Sequence, residues 1–452
     1  MKQAIAVALL VLGFGASPLV ADDTQATTEQ KLEELDQKVR VLERKAELEN
    51  EQDQEKARST ASAAAGKEGF SFKSADGAFQ IKLRGYVQLD ARAFLDDQER
   101  PATDTFVLRR VRPIVEGTLF SRFDFRLMPD FGAGATVLQD AYLEARFSPA
   151  LKLRAGKFKA PFGLERLQSA TDLLFVERGQ PTSLAPNRDL GLQLGGDLAH
   201  ERLSYALAVM NGVVDGGSAD ADTNDAKELV GRVFFTPWAA DKGSPLAGLG
   251  FGLAASSGRQ KGSPTSPGLP AYRTLGQQTL FSYRSDATVP NTVLADGRHE
   301  RFSPQLYFSL GRFGLLAESV RSSQEVRRAA STARLGHQAH QLAVSFVLAG
   351  GKASYKGVPP QKVFDPAQGG WGAFELVARW NQLSFDRDSF PTFANPASSA
   401  RRADSLGVGF NWYLTRGVRL MLDYDQTRFD GGATNGDRPD EKALFSRFQI
   451  AY

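Results

Sequence analysis

From Phe79 to Phe94 the chain alternates without a break. Phe79, Ile81, Leu83, Gly85, Val87, Leu89, Ala91 and Ala93 fall on one side; Gln80, Lys82, Arg84, Tyr86, Gln88, Asp90 and Arg92 fall on the other. Period two sends successive side chains to opposite faces of a strand, so this is one ribbon with an apolar face and a charged face. A soluble sandwich strand rarely runs so long, whereas a barrel strand needs about ten residues to cross lipid. The stretch therefore restricts the chain to sheets whose apolar face meets something greasy along its whole length.

The pattern recurs. Counting the first run, sixteen strands are predicted, through 110–119, 123–127, 140–147, 151–155, 190–198, 203–209, 229–235, 249–255, 302–310, 313–321, 342–348, 374–383, 406–414, 418–424 and 445–452. A weaker run, Thr279 to Tyr283, lies inside a long loop. An even number returns both ends to one side. Tight turns such as 120–122, 199–201 and 415–417 alternate with long loops at 213–225, 256–278, 321–336 and 387–402, the asymmetry of outer-membrane barrels. Segment 349–370 breaks this rule, being long yet on the turn side. The chain ends LFSRFQIAY, so Phe448, Ile450 and Tyr452 share a face and the last strand can close the ring against the first.

The fold class expected is all-β: a transmembrane antiparallel β-barrel of 16 strands, preceded by a short N-terminal coiled-coil helix. Residues 1–21 read as a signal peptide, with Lys2 before an apolar run and small residues up to Ala21. Residues 22–58 read as an acidic helix whose Leu32, Leu35, Val39, Leu42 and Ala46 form a heptad seam. Residues 59–70 read as a flexible linker and 71–452 as the barrel. Between Asp22 and Phe70 there are 8 basic and 13 acidic residues, against 46 and 39 from Ser71 onward. The two signs thus belong to different structures.

Gly156 to Leu198 is too long for a turn, has no period of its own, and carries apolar anchors such as Phe162, Leu164, Leu173, Leu174 and Phe175. Such a connection is functional or disordered; the anchors predict that it folds into the lumen and narrows it, the alternative being a surface loop. Its cations Lys157, Lys159, Arg166, Arg178 and Arg188 are the candidates for an anion-binding constriction. Alternation further places Arg84, Arg92, Arg110, Arg112, Arg126, Arg154, Arg232 and Arg379 on the inner face, with Lys82, Arg146, Lys152, Arg301, Arg419 and Arg447. Arginine stays charged and can grip phosphate with two donors. A row of such groups draws an anion inward while each site remains weak enough to release it. Asp90, Glu116, Asp124, Glu144, Glu228, Glu318, Glu375 and Asp423 share that face and are expected to pair with arginines across strands. A structural ion pair is the competing reading for any single arginine, above all Arg112, Arg146 and Arg379.

Together the segments GKFKAPFGLERLQS, ERGQPTSLAPNRDLGLQL, LVGRVFFTPW, FGLLAES, GAFELVARW and GFNWYLT resemble the phosphate-selective porin O and P family over about 71–452. The resemblance implies a sixteen-stranded, trimeric outer-membrane channel for phosphate or pyrophosphate, with an arginine ladder leading to a constriction made partly by an infolded loop. It places the protein in the outer membrane of a Gram-negative bacterium, its N-terminal helix in the periplasm. Partners are membrane lipid, small inorganic anions and two further copies of the chain, with no nucleic acid. The alternatives are a less selective diffusion porin and a non-channel barrel that tethers the envelope. No cofactor, metal or catalysis is expected. The histidines His200, His299, His337 and His340 are scattered, and no serine on the strands has a histidine at a suggestive offset.

Overall fold

A computed structural model of the chain describes residues 23–66, 69–222 and 224–452, with side chains from residue 30 to 51 in the N-terminal helix. The expected signal peptide lies outside the described residues. Sixteen strands form the barrel: β1 (Gln80–Leu95), β2 (Thr105–Leu119), β3 (Phe123–Asp130), β4 (Val137–Ser148), β5 (Leu151–Lys159), β6 (Arg188–Leu198), β7 (Leu203–Met210) and β8 (Glu228–Phe235). They continue as β9 (Leu249–Lys261), β10 (Leu294–Leu310), β11 (Phe313–Arg328), β12 (Ser331–Ala349), β13 (Ala373–Ser384), β14 (Ala400–Tyr413), β15 (Val418–Ala433) and β16 (Glu441–Ala451). Each pairs antiparallel with the next, and β16 pairs with β1 from Lys442 opposite Leu95 to Ala451 opposite Tyr86. The ring is closed, so no strand edge is left to lipid, which could not satisfy it. Leu89, Leu143, Leu192, Leu342 and Phe448 are among the large apolar side chains facing outward. The weak run near Thr279 is a two-stranded piece within the 262–293 loop, made of Tyr272–Arg273 and Thr279–Phe281.

Two expectations change. The linker carries strand: Ser62–Gly66 pairs antiparallel with Gly69–Lys73, and Phe70–Lys73 pairs with Leu83–Gln80. Because β16 ends opposite Tyr86, it leaves that edge of β1 unpaired, and Phe70–Lys73 takes it. The loop expected over 321–336 is instead strand, with only Ala329 and Ala330 between β11 and β12. Its inward residues Ser322 and Gln324 are as polar as the outward Arg321 and Ser323, so alternation is invisible there although the ladder continues. Segment 350–372 is long and on the turn side, as its place in the strand order indicated. Its Ala353 and Val358 bury against Val347, Ala373 and Tyr413, and Tyr355 stacks on Tyr307 with ring centres 4.6 Å apart.

The helix Asp23–Ser59 is a separate unit. Glu34–Lys38, Asp36–Arg40 and Arg44–Glu47 pair along its surface at 2.8–3.0 Å. Leu32, Leu35, Val39 and Leu42 are all exposed in the single chain.

Candidate functional site

Residues 160–187, between β5 and β6, fold into the barrel. Phe162, Leu164, Leu173, Phe175, Val176 and Leu184 are each 1% exposed or less. Inward polar groups of the far wall hold the loop by its backbone. Glu318 on β11 accepts from the N–H groups of Leu164 (2.6 Å) and Glu165 (3.2 Å), and Asp423 on β15 from that of Val176 (2.5 Å). Asn381 on β13 accepts from Gln180 N–H at 3.2 Å, Asn411 on β14 donates to the Leu174 carbonyl at 3.0 Å, and Arg419 on β15 donates to that of Leu173 at 2.8 Å. The 262–293 loop adds Tyr272, Leu280 and Phe281 to the same apolar packing. The half of the lumen along β9–β15 is therefore largely filled with protein.

What remains open runs along β1–β8 as two cavities. The larger, about 880 Å³, opens toward the tight turns and the C-terminal Tyr452; the smaller, about 450 Å³, lies toward the loops and is lined by Asp215, Glu177 and residues 270–275. Five residues line both: Arg109, Arg110, Arg166, Arg178 and Asn187. They form the neck between two vestibules. Arg109 and Arg110 come from β2; Arg166, Arg178 and Asn187 come from the infolded loop.

The larger cavity is lined by thirteen cationic side chains and three carboxylates, Asp130, Asp140 and Asp172. Six of the cations are neutralised locally: Arg84 by Glu116, Arg109 by Glu177, Arg112 by Asp130, Arg126 by Glu116 and Asp140, Arg154 by Glu144, and Arg188 by Asp140. The other seven form no ion pair among the described residues. Arg110 donates to Gln88 Oε1 at 2.7 Å, and Arg178 to the carbonyls of Glu165 (3.0 Å) and Gln168 (2.8 Å). Arg166 donates to the Thr182 carbonyl, and its buried Nε has no partner. Lys159 donates to the Leu167 and Gln168 carbonyls, and Arg232 to Gln305 Oε1 while lying over the Phe234 ring. Lys356 and Arg416 complete the set at the turn-side end.

Burial, and after it the repulsion of Arg178 and Arg188, pushes the Arg166 guanidinium well below its ordinary pKa. Burial lowers Arg178 likewise, against the attraction of Glu165. Burial alone would raise the Glu177 carboxyl, but Arg109, Arg110 and Arg92 hold it far below the usual carboxylate range. The neck is thus an excess of desolvated positive charge with one tethered carboxylate beside it. An anion placed there would relieve that repulsion, and low-dielectric walls would strengthen each contact.

Of the constriction candidates, Lys159, Arg166, Arg178 and Arg188 line the larger cavity. Lys157 does not: its ammonium pairs with Asp220 of the 211–227 loop. Of the ladder candidates, Arg84, Arg110, Arg112, Arg126, Arg154 and Arg232 line it too. Arg92 and Arg379 do not: Arg92 pairs with Glu177 at 2.8 Å, while Arg379 donates to the Glu177 carbonyl at 2.8 Å and lies 3.5 Å from Asp425. Arg301, Arg419 and Arg447 face inward yet are buried in packed protein, Arg447 gripping Asp90 with two bonds of 2.7 Å. Among the inward carboxylates, Asp90, Glu116, Asp124, Glu144 and Glu228 pair with arginines; Glu375 instead takes the Tyr413 hydroxyl, and Glu318 and Asp423 take the loop. Alternation missed Arg109. The register slips between Gln88, opposite Arg110, and Leu89, opposite Leu108, so Arg109 is a bulge residue whose side chain turns inward beside Arg110. The consecutive Arg109-Arg110 pair was the one visible sign.

A family model described as phosphate-selective porin O and P matches residues 79–452. No curated protein matches the chain in sequence. Among solved structures, the outer membrane channel DcaP of Acinetobacter baumannii is similar with a TM-score of 0.53 at 11% identity, over 86% of this chain and 100% of that one. Outer-membrane expressed OmpT of Vibrio cholerae gives 0.51 at 10% over 83% and 98%, and Pseudomonas putida OprB 0.51 at 9% over 83% and 95%. At such identities the likeness is one of fold.

Proposed function

Because this chain belongs to the phosphate-selective porin O and P family and is an outer-membrane porin channel, we propose that it passes small anions passively, phosphate or pyrophosphate foremost. One observation carries the reading: four arginines line the neck, and Arg110, Arg166 and Arg178 form no ion pair among the described residues. Guanidinium forks hydrogen-bond phosphate better than they hydrogen-bond a halide. Lys356, Arg416, Arg232 and Lys159 extend the unneutralised row toward the turns, so an anion is handed along weak sites and not trapped at one. The paired arginines, Arg112 and Arg126 among them, brace the wall.

The test is a planar bilayer under a salt gradient. The reversal potential should carry the sign of anion preference, and millimolar phosphate should block chloride current. A cation-preferring or silent channel would defeat the reading. The 880 Å³ of the turn-side cavity favours a second reading, a less selective diffusion porin. That reading predicts anion preference with no phosphate block.

The assembly proposed is a homotrimer, with the tight-turn side and the helix in the periplasm. The exposed seam Leu32, Leu35, Val39 and Leu42 supports self-association, because three heptads are marginal alone and gain stability when copies are already held together.

A further inference from the structure

The outward face of β11–β14 changes character along one row of register-paired residues. Moving away from the tight turns, β11 presents Phe313, Leu315 and Ala317, and then Ser319, Arg321 and Ser323. Its neighbours change along the same register-paired row, for Ser319 is in register with His340, His340 with Gln382, and Gln382 with Asp404. Ser319 and His340 hydrogen-bond at 2.8 Å, Gln382 donates to Asp404 at 2.7 Å, and Arg402 donates to Asp404 at 2.6 Å. A wall facing hydrocarbon does not carry such a row, so the row marks where hydrocarbon ends. β11 and β12 run 16 and 19 residues, longer than the ten or so that lipid requires, and so project beyond it.

One step above the row an outer groove of about 500 Å³ is lined by Glu300, Phe302, Arg321, Ser323, Arg334 and Asp386. Phe302 lies directly opposite Arg321 on the adjacent strand and is 49% exposed. Arg321 forms no ion pair or side-chain hydrogen bond among the described residues. Arg334 donates to Ser323 Oγ at 2.8 Å and pairs with Glu300. An aromatic ring at the hydrocarbon edge with an unneutralised guanidinium just above it is complementary to an anionic lipid at the interface.

We propose that this groove holds the phosphorylated headgroup of an outer-leaflet glycolipid. Its phosphate sits on Arg321 and Arg334, its sugar hydroxyls on Ser323 and Glu300, and an acyl chain along Phe302. The inference rests on the loops facing the cell exterior; it lies on the other face of the wall from the pore and has its own readout.

The test uses the purified full chain in detergent, with native mass spectrometry and thermal denaturation in the presence of bisphosphorylated lipid A, dephosphorylated lipid A or inorganic phosphate. The wild type should retain and be stabilised by the bisphosphorylated lipid. Arg321→Gln should weaken retention roughly five-fold, the effect of one cation at an anionic leaflet, while Arg321→Lys keeps most of it. Unchanged single-channel conductance in Arg321→Gln shows an intact barrel. Equal retention of the dephosphorylated lipid, undiminished retention by Arg321→Gln, or displacement by millimolar inorganic phosphate would each overturn the assignment.

Discussion

On the proposed reading, Arg110→Gln separates an anion-gripping arginine from a wall-bracing one. Arg110 lines both vestibules and donates only to the neutral Gln88 Oε1, so its removal leaves no carboxylate orphaned. If permeating phosphate takes one charge-assisted hydrogen bond from it, worth about 1.5–3 kcal/mol, the variant loses that much at the neck. At about 1.4 kcal/mol per decade, the concentration of phosphate that half-blocks chloride current should rise about ten- to hundredfold. Arg112, two residues along the same strand, is the control. It pairs with Asp130 at 2.7 Å and both side chains are buried, so Arg112→Gln strands a carboxylate. Losing one partner of a buried pair costs about 3–5 kcal/mol, softened here because Asp130 still accepts from the Val111 and Gly132 N–H groups. The control should therefore melt at lower temperature with phosphate block little changed. Single-channel recording gives the first quantity and heat-modified gel mobility the second. Unchanged block in Arg110→Gln, or a larger loss of block in Arg112→Gln, would refute the division between paired and unpaired arginines.

Glu177→Gln removes the one carboxylate that, among the described residues, pairs with a neck arginine, so the anion-to-cation permeability ratio should increase; a decrease in bi-ionic reversal measurements would count against an electrostatic neck. Glu318→Gln exchanges an oxygen for an amide that faces the Leu164 and Glu165 N–H groups, at a cost of about 1–3 kcal/mol. The loosened loop should appear as greater open-channel noise and faster proteolysis between 160 and 187, and a quiet, resistant channel would show that Glu318 does not hold it. Leu35→Asp with Val39→Asp should leave the barrel's melting untouched, since both side chains are exposed in the single chain, but lower the temperature at which trimers part on detergent gels. Trimers of unchanged stability would mean that the barrel wall alone holds them.

All sixteen strands were legible in the sequence, because a wall that meets lipid on one face and polar groups on the other must alternate, and each of the predicted runs became a strand. The infolding of 160–187 was legible too, from apolar anchors in a segment too long to be a turn. Where both faces turn polar, as over 321–336, alternation lost its contrast and the adjoining ends of β11 and β12 looked like a loop. Where a bulge shifts phase, as at Arg109, parity assigned the wrong face.

Except where a bulge shifts the phase, the sequence by itself determined which side chains point inward, since that follows from a local period of two. Only the tertiary structure decided which of them meet water. Arg110 and Arg447 obey the same alternation, yet one lines the neck and the other is clamped on Asp90 in packed protein. The difference comes from a loop far away in the chain that folds against β9–β15 and leaves the path along β1–β8. Packing between segments distant in sequence carries no periodic signature, whereas the pleat of a strand imposes one.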